Sequence, residues 1–171
     1  MKSIFILSLA SIIFFTACKK EYEQNYVKGD VLFVIQDTVS FYSTQKMFQE
    51  LNLSVEYVHN YEYRMQIPED SVIKVNEFLR TIPYLTNSGE TFGLLYKNKE
   101  LRIYANFFNM DPKSSADWLR IVKELKLKEN IFADGYKFGM LKVPVGKEKR
   151  CVEVLKKQPK IMHVGLNSIL E

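Results

Sequence analysis

Residues Ser54 to Ile67 alternate with a period of two. Val55, Tyr57, His59, Tyr61, Tyr63, Met65 and Ile67 are separated by Glu56, Val58, Asn60, Glu62, Arg64 and Gln66. Such alternation describes β structure with one face buried and one wet, and it assigns the tyrosines at 57, 61 and 63 to the buried face. The stretch is long for one strand, so a hairpin is expected, with two strands meeting near Asn60. Val31-Leu32-Phe33-Val34-Ile35 is instead a continuous apolar run, the signature of a central or doubly covered strand. Between the two, Phe41, Thr44, Phe48 and Leu51 recur at helical spacing behind Ser40, a suitable N-cap.

The same reading continues along the chain. After Pro68, Asp70 or Ser71 caps a helix whose inward stripe is Val72, Val75, Phe78 or Leu79, and Ile82, and Pro83 stops it. Thr91 to Tyr96 and Leu101 to Met110 flank Lys97-Asn98-Lys99-Glu100 as a hairpin. Asp111 caps the next helix with Pro112 at its first position, and Trp118, Ile121, Val122 and Leu125 form its buried stripe. A strand around Ile131-Phe132, a turn at Asp134-Gly135 and a strand from Tyr136 to Val143 follow. A last helix turns Cys151, Val154 and Leu155 inward, ahead of a strand from Ile161 to Leu166.

Part of this pattern is written twice. Ile67 to Leu85 (IPEDSVIKVNEFLRTIPYL) returns as Val143 to Ile161 (VPVGKEKRCVEVLKKQPKI), with Pro68 and Pro83 on Pro144 and Pro159, Glu77 on Glu153 and Leu79 on Leu155. Met47 to Leu53 (MFQELNL) is echoed by Ile121 to Leu127 (IVKELKL). A repeat fixes architecture before any single motif does. The expected fold is α+β: two tandem ferredoxin-like β-α-β-β-α-β units, antiparallel sheets with helices on one face. Their bounds are 26–88 and 89–171, joined through Thr86 to Glu90. Units this short are marginal alone, so they are expected to pack together or to share a continuous sheet.

The N-terminus reads differently. Lys2, the apolar run Ile4 to Phe15 and the small residues Thr16-Ala17 before Cys18 form a secretory signal over residues 1–17, too short to span a bilayer. FTAC resembles the lipobox of bacterial lipoproteins, which makes Cys18 the lipid-attachment residue; the alternative is an ordinary cleaved signal with Cys18 incidental. Residues 18–25 are then a charged tether, also similar to the short export signals of surface lipoproteins in the Bacteroidetes. The implied location is the cell envelope, lipid-anchored to the outer membrane on its periplasmic or surface face.

Composition removes several classes of function. A formal net charge of +4, with basic and acidic residues evenly mixed, gives no footprint for nucleic acid. Of the two cysteines, Cys18 is assigned to lipid, so Cys151 is left unpaired and no disulfide framework is expected. Cys151 lies on an apolar helical stripe, where it behaves as a small hydrophobe. The two histidines, His59 and His163, fall in strands far from any short-spaced metal-ligand set, and His59 reads as a packing residue. Glycine-rich phosphate loops and a GxSxG elbow are absent. No catalytic residue, metal or cofactor is therefore expected, and the chain reads as non-enzymatic.

Val143-Pro144-Val145-Gly146, followed by a helix and then Pro159, Ile161, Val164 and Asn167, is similar to the subtilisin-propeptide inhibitor family. Tyr57 to Tyr63 leading into Ile67-Pro68, and the opening Tyr26-Val27-Lys28-Gly29-Asp30-Val31, resemble the same family. The resemblance implies a β-α-β-β-α-β unit whose open sheet face packs on a subtilisin-like serine protease. The residues after the last strand would lie in the protease's cleft; here these are Asn167, Ser168, Ile169, Leu170 and Glu171. With no protease domain after Glu171, the resemblance implies a stand-alone inhibitor, of a subtilisin-like or a streptopain-type protease. The alternative is an envelope protein-binding or assembly lipoprotein that contacts no protease.

Overall fold

Two asparagines in the left-handed region interrupt the strands that the alternation describes. The computed structural model describes residues 25–85, 92–131 and 136–168. Its elements are β1 (Tyr26–Ile35), α1 (Phe41–Glu50), β2 (Ser54–Gln66), α2 (Val72–Arg80), β3 (Gly93–Lys97), β4 (Glu100–Met110), α3 (Pro112–Glu124), β5 (Lys128–Glu129), β6 (Lys137–Lys142), α4 (Glu148–Leu155) and β7 (Ile161–Ser168). The expected hairpin at Asn60 is not formed: β2 is one strand of 13 residues. Its register shifts between Val55 and Tyr57 and again between Val58 and Tyr61, where Asn60 adopts φ 70°. Asn109 of β4, at φ 49°, turns over the alternation of the neighbouring strand, so that Phe107 and Met110 both face the core. Each shift inserts one residue and turns the alternation over. Val55, Val58, Tyr61 and Tyr63 consequently join the core, while Tyr57, expected there, goes to the opposite face with His59. The strand expected at Ile131-Phe132 is β5, earlier and only two residues long; Phe132, Asp134-Gly135 and the Thr86–Glu90 join lie outside the described residues.

The fold is mixed α+β: among the described residues, a seven-stranded antiparallel sheet with four α-helices. Its strand order is β3-β4-β2-β6-β1-β7, and β5 pairs with β2 beyond the end of β6. The strands of the two expected halves are interleaved. β1 lies between β6 and β7, and β4 lies between β2 and β3. Residues 26–88 and 89–171 thus share one continuous sheet.

The repeat is present in the backbone hydrogen bonds themselves. Leu53 N donates to Phe48 O and Leu127 N to Val122 O, both at 2.9 Å, over Asn52 and Lys126, each at φ 53°. These are twin left-handed helix ends, and they account for the MFQELNL and IVKELKL echo. The proline-bracketed copies match as closely. Ser71 N donates to Pro68 O (3.1 Å) and Lys147 N to Pro144 O (2.9 Å); Leu85 N donates to Ile82 O and Ile161 N to Gln158 O, both at 3.1 Å. Ile67 N bonds Lys99 O, and its counterpart Val143 N bonds Gly29 O. An approximate two-fold relation therefore exchanges β1 with β4, β2 with the β5–β6 pair, and β3 with β7.

The four described helices supply one core on one side of the sheet. The Phe41 ring of α1 lies 5.4 Å from Tyr61 and 4.5 Å from Phe107, and Trp118 of α3 lies 5.2 Å from both Tyr63 and Phe107. Leu79 of α2 and Leu155 of α4, equivalent in the repeat, are both fully buried, each contributing about 2 kcal/mol. Trp118 Nε1 donates to Tyr63 Oη at 2.9 Å, and Tyr61 Oη donates to Thr44 Oγ1 at 2.8 Å, so the buried aromatics keep their polar atoms satisfied. Ser40 and Asp111 cap α1 and α3 by accepting from Ser43 N and Ser114 N.

Candidate functional site: the uncovered face of the sheet

The face opposite the helices carries an apolar strip. Register places Phe108 of β4, Tyr57 of β2, Met140 of β6, Leu32 of β1 and Gly165 of β7 in one row across five strands. Beside it, Phe138, Val34 and His163 form a second, shorter row. The bulge at Asn60 aims the His59 ring between them, 4.9 Å from Tyr57, 5.1 Å from Phe138 and 5.7 Å from Phe108. Phe108 is buried yet lies outside the helix-covered core, and Phe138 remains 41% exposed.

Charged groups border the strip. At one end the buried Asp30 carboxylate accepts from Lys142 Nζ at 2.6 Å and from Asn167 Nδ2 at 3.0 Å, tying β6, β1 and β7 together. On the β3–β4 side Arg64 and Arg102 sit opposite one another, each paired along its own strand: Arg64 Nε with Glu62 at 2.6 Å, Arg102 Nε with Glu100 at 3.0 Å. The Glu100 bond holds the Arg102 guanidinium above its ordinary value. An apolar centre with a polar rim is the arrangement of a docking surface.

Sequence reasoning missed a buried ionic group. Lys137 is 1% exposed, and its Nζ donates to the carbonyls of Asp37 (2.6 Å) and Val39 (2.7 Å) while lying 5.0 Å from the centre of the Tyr61 ring. Burial pushes this amine down, against the opposing pull of Glu129 and Asp37. Burial pushes the Glu129 carboxyl up, although it accepts from Phe41 N at 2.8 Å. Both side chains are spent on backbone, Lys137 fixing the β1–α1 loop and Glu129 the first turn of α1. The available signal was positional: Lys137 is the repeat equivalent of Tyr61, a core site.

The other residues singled out from sequence are dispersed. Cys151 is buried in α4, unpaired, with its thiol pushed up by burial. His163 is exposed on β7, paired with Val34. Asn167 and Ser168 belong to β7, Ser168 opposite Tyr26, so neither projects as a tail. Ile169, Leu170, Glu171, Cys18, the signal segment 1–17 and the tether up to residue 24 lie outside the described residues. Among the described residues no three His, Cys, Asp or Glu side chains converge as for a metal, and no helix is long and apolar enough to cross a membrane. Clefts at the end of β2 (about 430 Å³, with Arg64, Lys126, Lys128 and Glu129) and between α1 and α3 (about 440 Å³, with Tyr42, Gln45 and Ser115) hold no histidine or cysteine. Neither the family models nor the curated proteins compared with this chain include a match.

Proposed function

We propose that this chain is a non-enzymatic, lipid-anchored envelope protein that binds a protein partner on the uncovered face of its sheet. The observation that carries the reading is the in-register row Phe108–Tyr57–Met140–Leu32, with Phe138 exposed beside it. A contiguous apolar strip on a sheet face is a usual mark of an interaction site. In fold terms we read the sheet as two ferredoxin-like units that share β2: β1-α1-β2-β6-α4-β7 and β2-α2-β3-β4-α3-β5.

Protease inhibition is the narrower form of the same reading. The resemblance to subtilisin propeptides asks for an open sheet face, and the uncovered strip favours it. With Asn167 and Ser168 held in β7, the cleft segment reduces to Ile169, Leu170 and Glu171.

The test is recovery of partners by the tagged full chain from its native envelope, with Phe138→Glu and a control, Tyr42→Glu, on the exposed side of α1. A partner retained by the control and lost with Phe138→Glu supports the proposal; a partner retained by both, or none at all, refutes it. Inhibition of the recovered protein, if it is a subtilisin-like or streptopain-type protease, selects the narrower form. Asn167→Ala separates its two uses. As a strand residue tied to Asp30 it lowers stability by about 1 kcal/mol and spares inhibition.

A further inference from the structure

The start of α4 carries its charges against the helix. α2 and α4 are repeat equivalents, entered through matching turns at Pro68 and Pro144. The turn leading into α2 bears Glu69 and Asp70, the sign that a helix N-terminus favours. In α4 the two matching positions are Val145 and Gly146, and its first turn bears Lys147, Lys149 and Arg150 where α2 has Ser71, Ile73 and Lys74; the three α4 cations are exposed and without an ion-pair partner among the described residues. Its one acidic residue there, Glu148, is turned inward and accepts from Gly29 N at 2.7 Å. The macrodipole opposes cations at this position, so the fold itself gains nothing from them. Val145, 68% exposed, projects beside them, and Val27 (40% exposed) and Lys28 adjoin across the bond from Val143 N to Gly29 O.

This cluster sits where the chain enters the domain. Tyr26 opens β1 opposite Ser168, and Cys18 is eight residues earlier. Eight residues reach at most about 28 Å. An acylated Cys18 therefore keeps this end of the sheet within reach of the headgroups.

We infer that Val145, Lys147, Lys149, Arg150 and Lys28 form a membrane-docking surface that seats the domain on anionic lipid headgroups. The inference rests on the lipid-anchor reading of Cys18. Cations interact with the phosphates while Val145 enters the headgroup boundary, so a single tether is supplemented by a second, electrostatic contact. The sheet then stands with β1 rising from the bilayer and the apolar strip facing sideways, accessible to a partner in the same envelope space.

The test uses the full chain carrying Val145→Cys, labelled with a polarity-sensitive dye; Cys151 is buried and does not compete. The labelled protein is placed in vesicles of phosphatidylethanolamine and phosphatidylglycerol containing a doxyl-lipid quencher, and in pure phosphatidylcholine vesicles with the same quencher. Quenching is expected in the anionic vesicles only, relieved by 0.5 M salt and lost with Lys147→Gln, Lys149→Gln and Arg150→Gln combined. A label at Tyr42→Cys, on α1 near the opposite end of the sheet, stays unquenched. Intact mass reports acylation at Cys18. Acylated protein with no quenching at position 145 overturns the docking surface alone; absence of acyl mass overturns the anchor reading and the inference with it. A label shielded in whole envelopes and unquenched in protein-free vesicles assigns the surface to an acidic protein instead, and also overturns the inference.

Discussion

Asn52 and Lys126 adopt the same left-handed backbone, φ 53° each, immediately beyond the ends of α1 and α3. Asparagine tolerates this conformation, and lysine does so at a cost. Lys126→Gly should therefore raise stability by about 1 kcal/mol, and Asn52→Gly by roughly half as much. Urea unfolding of both variants measures the difference. Equal effects would mean that the two ends are not energetic twins.

The caps of the same two helices differ in chemistry. Ser40→Ala and Asp111→Ala should each cost about 1 kcal/mol at neutral pH. Hydrogen bonds from Ser114 hold the Asp111 carboxyl below its ordinary value. For such a group the contribution is complete above the unfolded-state pKa and disappears as pH falls through the lower, folded value. The cost of Asp111→Ala should hence shrink below about pH 4, whereas that of Ser40→Ala stays constant. Stability measured for both variants from pH 7 to pH 3 distinguishes them.

Gly139 marks the tightest place in the sheet. A Cβ there would lie 2.2 Å from Tyr57 O and 2.6 Å from the Phe33 ring, so Gly139→Ala should cost more than about 3 kcal/mol or prevent folding. Gly165, on the uncovered face, has nothing within 4 Å of the same atom, and Gly165→Ala should be nearly neutral. Thermal melts of the pair are the check. A tolerated alanine at 139 would contradict the β2–β6–β1 register.

The single tryptophan offers an optical readout of the core. Tyr63→Phe removes the acceptor for the buried Trp118 Nε1 and should destabilise by about 1–3 kcal/mol. Its emission should shift to the blue, since the indole loses a polar partner without gaining water. Unchanged emission with unchanged stability would show that the bond is not formed in solution.

Much of the local structure was legible because local chemistry sets it. Ser40, Asp111 with Pro112, and the prolines at 68, 83 and 144 punctuate the chain where caps and strand ends fall. The repeat was legible too, since twin helix ends need similar residues. Bulges were not: the run Val55 to Ile67 keeps its alternation on paper, and the interruption expected near Asn60 reads as a hairpin where the strand only shifts register. The interleaving of β1 and β4 was equally hidden. It depends on pairing between residues far apart in sequence, to which periodicity is blind. For the same reason the row from Phe108 to Gly165 could not be assembled before its register was known, and Asn167 read as a tail although Asp30 fixes it.

The interleaved order also governs how the chain can be made. β1 is the first element among the described residues, yet both of its neighbours, β6 and β7, come from the last third of the chain; even its nearest pairing, Ile35 with Lys137, closes a loop of more than a hundred residues. Closure of that kind is entropically late and slow. A chain halted before Lys137 leaves β1 with two bare edges, a template for aggregation. Assembly therefore waits until β6 and β7 have emerged, and a holding chaperone is most needed along Tyr26 to Ile35.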